Sequence, residues 1–138
     1  MHTSIRPAVL TLVVGLSLAS AMCGGSSSPT SPTASTPAPT PVAGTTITIA
    51  AGGTVSPRAL LVTPGARVTV INNDTRGHEI ASNPHPSHVD CPAINELGFI
   101  GPGQTRQTGA LTAIRTCGFH DHDAPDNASL QGTITLAN

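Results

Sequence analysis

Five of the chain's six histidines lie between residues 78 and 122, as a lone His78, a pair in His85-Pro86-Ser87-His88 and a pair in His120-Asp121-His122. Cys117 stands three residues before His120, and Cys91 three after His88. An imidazole is the commonest protein metal ligand, and a cysteine thiolate is a softer one. In a chain with 9% charged and 1% aromatic residues, such clustering makes metal binding the first chemistry to consider.

Each group also has a plainer explanation. A lone His78 suits a surface or capping role, and His85 and His88 suit solvated positions in a proline-rich loop. His120 and His122, so close to Cys117, are the hardest to explain without a metal. They project to the same side if the segment is extended, and both reach one ion if it turns. Asp90, Asp121 and Asp123 read either as solvated loop residues or as acceptors that orient a ligand imidazole through its second N–H. Glu79, next to His78, points to the opposite face of a strand and is not a candidate ligand.

Cysteine usage leaves two arrangements open. With Cys23 modified at the N-terminus, Cys91 and Cys117 remain as an even pair suited to a disulfide in an oxidising compartment. Alternatively, Cys117 is a thiolate ligand while Cys91 is free or joins His85 and His88. Disulfide and thiolate exclude one another at Cys117.

The compartment is set by the N-terminus. An apolar run, Ala8–Ala21, follows the basic flank at Arg6. This reads as an export signal over residues 1–22, too short to span a bilayer comfortably. Ala19-Ser20-Ala21 suits small-residue cleavage, whereas Leu18–Cys23 resembles a bacterial lipoprotein signal that leaves Cys23 lipidated. Residues 23–44 are rich in Ser, Thr, Pro and Ala, carry no charge and offer almost nothing to bury, so they read as a tether. Location at the periplasm or cell surface follows, with the membrane reached through a lipid anchor.

Residues 45–138 form one small domain. Its core must be aliphatic, because the chain has no Trp or Tyr and only Phe99 and Phe119 as aromatics. A domain this small gains from a disulfide or a metal. All six basic residues are Arg, unclustered, with a net charge of −1, which argues against a nucleic-acid partner. Nothing calls for an oligomer.

The elements that must position the histidines alternate with period two. Thr46–Ile49, Arg67–Val70 and Thr133–Leu136 each place two aliphatic residues on one face, as half-buried strands do. Weaker strands are expected at Ala59–Val62, Glu79–Ala81, Gln104–Leu111 and Ala113–Phe119. Turns fall at Gly52-Gly53, Pro64-Gly65, Asn72-Asn73-Asp74 and Gly101-Pro102-Gly103. About seven short strands and no helical stripe predict an all-β sandwich or barrel. Pro84–Gly98 is a long irregular loop carrying His85, His88 and Cys91, and loops of that length are usually functional or disordered.

Two segments carry a family resemblance. Val55–Asp74, followed by His78, resembles the first half of a cupredoxin, in which a strand, a Pro-Gly turn and a second strand lead through Asn to the first copper-binding His. Cys117-Gly118-Phe119-His120, before the last strand, matches the family's Cys-x-x-His. The two segments together span nearly all of Thr45–Asn138. The resemblance implies a Greek-key sandwich binding one copper ion, with His78, Cys117, His120 and His122 as ligands and His85 and His88 as secondary candidates. The chain departs from the family pattern in having no methionine beyond Met22, so the usual axial Met is absent and His122 stands in its place. The Pro-His-Pro…His loop and the His-Asp-His motif also resemble cupredoxin-like domains that lack the cysteine, which implies a histidine-rich copper site where Cys117 is optional.

Three function classes follow. The first is an exported copper protein that transfers electrons or holds copper in the cell envelope, with a redox or copper-delivery protein as partner. The second is a copper-dependent redox enzyme, since Gly118–His122 superficially resembles the Gly-Phe-His-x-His of copper/zinc superoxide dismutase. No histidine follows His122, so an enzyme is the weaker reading. The third is a metal-free envelope domain in which the Cys91–Cys117 bridge is purely structural.

Overall fold

The computed structural model of the chain describes residues 37–138, which belong to one compact unit, Thr36–Asn138. The segment read as an export signal, Cys23 and most of the segment read as a tether lie outside the described residues. Among those described, ten strands form two sheets and no helix is long and apolar enough to cross a membrane.

The six-stranded sheet has the order β1 (Val42–Ala43), β4 (Ala59–Val62), β10 (Gly132–Leu136), β9 (Thr116–Asp121), β6 (His78–Ser82), β7 (Phe99–Ile100). The four-stranded sheet runs β3 (Thr54–Ser56), β2 (Thr46–Ala50), β5 (Thr69–Asn72), β8 (Thr105–Gln107). Strands distant in sequence are neighbours. β10 lies parallel to β4 and antiparallel to β9, and β9 lies antiparallel to β6. Such crossed connectivity belongs to a Greek-key sandwich.

Ten strands exceed the expected seven because short pairings such as β1, β3 and β7 carry too few residues for a period to show. β1 takes the last residues of the segment read as tether: Val42 and Ala43 pair with Leu60 and Leu61. β8 and β9 are shorter than, or shifted from, the expected Gln104–Leu111 and Ala113–Phe119.

The alternation seen in the sequence builds the core. Ile47 and Ile49 of β2, Val70 of β5, and Ile134 and Leu136 of β10 are all buried. Phe119 fills the middle at 1% exposure. A Cβ at Gly132 would sit 2.5 Å from its ring, so glycine is what lets β10 pass so close.

The Pro84–Gly98 segment is less irregular than expected. Its second half is a 3-10 helix, Pro92–Leu97, that buries Ile94 and Leu97. Those two anchors press the histidine-bearing half of the loop against the sandwich.

Candidate metal centre

The register between β6 and β9 decides which histidines can meet. Ile80 pairs with Asp121, Ala81 with His120 and Ser82 with Phe119. Directly paired residues share a face, and neighbours along a strand alternate. His78, Ile80, Phe119 and Asp121 therefore face the interior, while His120 lies on the other face. His78 and His120 cannot face one ion in this register.

His78 is accordingly not with the other four histidines, contrary to its expected place as first ligand. It is 2% exposed, with Nδ1 2.6 Å from Asp121 Oδ2 and Nε2 3.1 Å from Asp74 Oδ2. Both ring nitrogens are engaged by carboxylate oxygens, and neither joins the cluster formed by the other four histidines.

Cys117 is likewise removed from the expected ligand set. It is bonded to Cys91, with their Cα atoms 5.9 Å apart, so no thiolate is available. The disulfide alternative is the one observed. It joins the loop after His88 to the strand before His120.

His85, His88, His120 and His122 do come together, each offering a ring nitrogen within 4.8 Å of the others. The two pairs approach by different routes. His120 lies near the end of β9, and His122 follows in a turn whose backbone N–H donates to Glu79 O at 2.7 Å. His85 and His88 sit on a loop that leaves β6 at Ser82 and folds back on itself. His88 N donates to Pro84 O at 2.7 Å, and Asp90 N donates to Asn83 O at 2.9 Å. Asn95 braces this loop from the 3-10 helix, donating to His88 O and accepting from Ser82 N, both at 2.9 Å. Among the described residues His88 is the one non-glycine at positive φ, 51°, a left-handed conformation that costs about 1–3 kcal/mol and persists where its surroundings impose it.

The polar contacts prepare nitrogen lone pairs. His120 Nδ1 lies 2.7 Å from Asn83 Oδ1, an acceptor, so the hydrogen sits on Nδ1 and Nε2 carries the lone pair. That Nε2 is buried and has no hydrogen-bond partner. His122 Nδ1 lies 3.3 Å from His88 Nε2. Burial, reinforced by the neighbouring histidines, holds the pKa of both His88 and His120 below the ordinary value of 6.5. For His88 the Glu79 carboxylate opposes that shift.

An unpaired buried nitrogen is costly, and such groups ordinarily find a partner. Four imidazoles gathered in this way offer a donor set that suits copper, zinc, nickel or iron. Donors about 2.0–2.1 Å from one ion lie no more than about 4 Å apart, so the observed 4.8 Å closes with a shift below an ångström. The residues present fit a metal.

Asn83, Asp74 and Asn95 did not stand out in the sequence. Asn83 precedes a proline and read as a turn residue, and its role follows from Gly118 opposite, where a Cβ would collide with the Asn83 side chain. Asp121 carried one clue, its place between two histidines, but its partner is His78 rather than a ligand imidazole.

No protein-family model matches the chain, and no curated protein is similar to it in sequence. Solved structures are similar. A purple cupredoxin from Nitrosopumilus maritimus shares 20% identity over 68% of this chain and 100% of its own, with a TM-score of 0.54. Oxidised plastocyanin from Dryopteris crassirhizoma shares 14% over 67% and 99%, with a TM-score of 0.52. A mutant amicyanin in its Cu(I) form shares 19% over 67% and 80%, with a TM-score of 0.51. Taken with the two-sheet sandwich and its crossed connectivity, these likenesses make the fold that of the cupredoxins.

Proposed function

We propose that this is an exported copper-binding protein that holds one copper ion through His85, His88, His120 and His122 and passes it to, or exchanges electrons with, a protein partner in the cell envelope. The observation that carries the proposal is the buried, unpartnered Nε2 of His120, facing three other imidazoles. Copper is the favoured ion because an imidazole-rich set binds Cu(II) above its neighbours in the divalent series, and because similar folds include an amicyanin in its Cu(I) form.

The chain's residues divide the work. His120 is held by Asn83 in the tautomer that presents Nε2. His88 is held by Asn95 and by the fold of its own loop. His85 is the exposed member of the four, so the site reaches the surface there and a partner can approach. Bound copper would supply a centre that cycles between Cu(I) and Cu(II). Without a thiolate, the site favours holding and handing over copper above fast electron transfer, since an all-imidazole set lacks the soft donor that suits Cu(I).

The Cys91–Cys117 bridge supports an oxidising compartment, in keeping with the export signal read in residues 1–22. Attachment through a lipid on Cys23, with the residues between it and β1 as spacer, completes the reading, and the protein acts as a monomer.

The test is a Cu(II) titration of the purified metal-free protein, followed by optical and EPR spectroscopy. One equivalent bound, nitrogen superhyperfine structure and no intense thiolate band are expected. Loss of binding in His120→Ala confirms the site. Failure of the wild type to bind, or binding unaffected by His120→Ala, refutes it.

A further inference from the structure

A second titratable cluster lies on the interior face of β6 and β9, behind the four histidines. Asp74, His78 and Asp121 are all at most 5% exposed. His78 bridges the two carboxylates, and each carboxylate is tied to backbone. Asp74 Oδ1 accepts from Gly52 N at 3.0 Å and Thr75 N at 2.8 Å, in the turn between β2 and β3 and the loop after β5. Asp121 Oδ1 accepts from Glu79 N at 3.2 Å and Asp123 N at 3.3 Å, on either side of the turn that carries His122. His122 itself donates its N–H to Glu79 O.

We propose that Asp74, His78 and Asp121 are positioning residues of the metal site, forming a buried chain that runs from the four-stranded sheet to the His120–Asp123 turn and fixes where His122 presents its ring. This rests on the four-histidine reading. Burying an imidazole between two carboxylates strips each group of its water, and aliphatic packing would be cheaper if only stability were at stake. What aliphatic side chains cannot do is fix a turn in one place. The chain meets no ligand imidazole directly. It acts on the backbone on both sides of His122, which makes it an outer arrangement of the kind whose loss typically weakens a metal site about 10–100-fold.

The experiment compares wild type with His78→Gln, Asp74→Asn and a stability control, Val55→Ala, a buried residue of β3 in the other sheet. Three quantities are measured: Cu(II) affinity by chelator competition, the Cu(II) EPR spectrum, and hydrogen exchange of the His122 amide in the metal-free protein. His78→Gln, which cannot bridge both carboxylates, is expected to weaken copper at least about ten-fold, change the EPR parameters and speed His122 exchange. Asp74→Asn, cutting the chain at its far end, shifts all three the same way by less. It decides the matter if His78→Gln fails to fold. Val55→Ala loses stability but keeps wild-type affinity and spectrum. Wild-type affinity, spectrum and exchange in both chain variants overturns the proposal while leaving the four-histidine site standing. A wild type that binds no copper overturns both.

Discussion

Removing the disulfide probes the fold and the site together. Cys91 and Cys117 are 26 residues apart, and closing a loop of that length lowers the entropy of the unfolded chain enough to stabilise the fold by about 3.5 kcal/mol at 25 °C. For a domain whose total stability is about 5–15 kcal/mol, that is a large share. Both cysteines are buried, so the double variant Cys91→Ala/Cys117→Ala avoids leaving hydroxyls without partners. Urea unfolding of the metal-free protein should show stability lower by about 3 kcal/mol and a steeper slope, because the unbridged unfolded chain is less compact and exposes more surface. The bridge also joins the loop of His88 to the strand of His120. Freeing even one loop residue adds about 1–2 kcal/mol of ordering cost when metal binds, roughly ten-fold in Kd. Competition titration should therefore show copper affinity reduced about ten-fold in the variant, and dithiol reduction of the wild type should reproduce both effects. A stability loss of less than about 1 kcal/mol together with unchanged affinity refutes the role given to the bridge.

Four further outcomes are expected. Replacing Asn83 with Ala frees His120 Nδ1 and its tautomer, so copper affinity should fall about 10–100-fold in competition titrations while the apo fold persists. Backbone N–H groups of Gly52 and Thr75, aided by His78 and Arg76, hold the Asp74 carboxyl at about 2, below its ordinary 3.8. Its contribution is therefore present in full above about pH 4 and lost as pH falls towards 2, and in urea midpoints against pH Asp74→Asn should flatten that acid limb. His88 and His120 have pKa values depressed by burial, so metal-free stability declines as pH drops below about 6.5, and copper should dissociate on acidification as protons claim the ligand nitrogens, which dialysis at stepped pH with metal analysis will follow. Phe119→Ala, at the centre of an otherwise aliphatic core, should cost about 3–5 kcal/mol by chemical denaturation.

The sandwich was legible because period-two alternation is a local property. Thr46–Ile49 and Thr133–Leu136 show their buried faces without reference to any partner, and the structure buries those faces. β7 and β1 were not legible, because a two-residue strand exists only through its neighbour. The loop at Pro84–Gly98 concealed its 3-10 helix for a similar reason, since Ile94 and Leu97 look like isolated aliphatics until the core beneath them is known. The disulfide lay between: two cysteines in the domain allow it, and only geometry selects it.

The candidate site shows the limit most sharply. Resemblance put His78 first among the ligands, on the strength of its position after Asn72-Asn73-Asp74, and ranked His85 and His88 second. Register reverses the order. With Ile80 opposite Asp121, His78 is on the interior side with two carboxylates, and His120 is on the far side with the loop histidines. A slip of one residue in that pairing would exchange the faces and bring His78 to His120's side. Neither strand names its pairing partner, so the register stays open until burial is weighed. It is set by which residues must be buried, and Phe119 is the decisive one. Burying the only aromatic side chain of the core requires Cys117, Phe119 and Asp121 to point inward, which sends Cys117 to Cys91 and Asp121 to His78. His120 is left on the opposite face, where Asn83 holds its Nδ1 and His85, His88 and His122 are within reach. The demand for a packed core thus accounts for the missing thiolate, the withdrawn His78 and the four-imidazole cluster as one consequence.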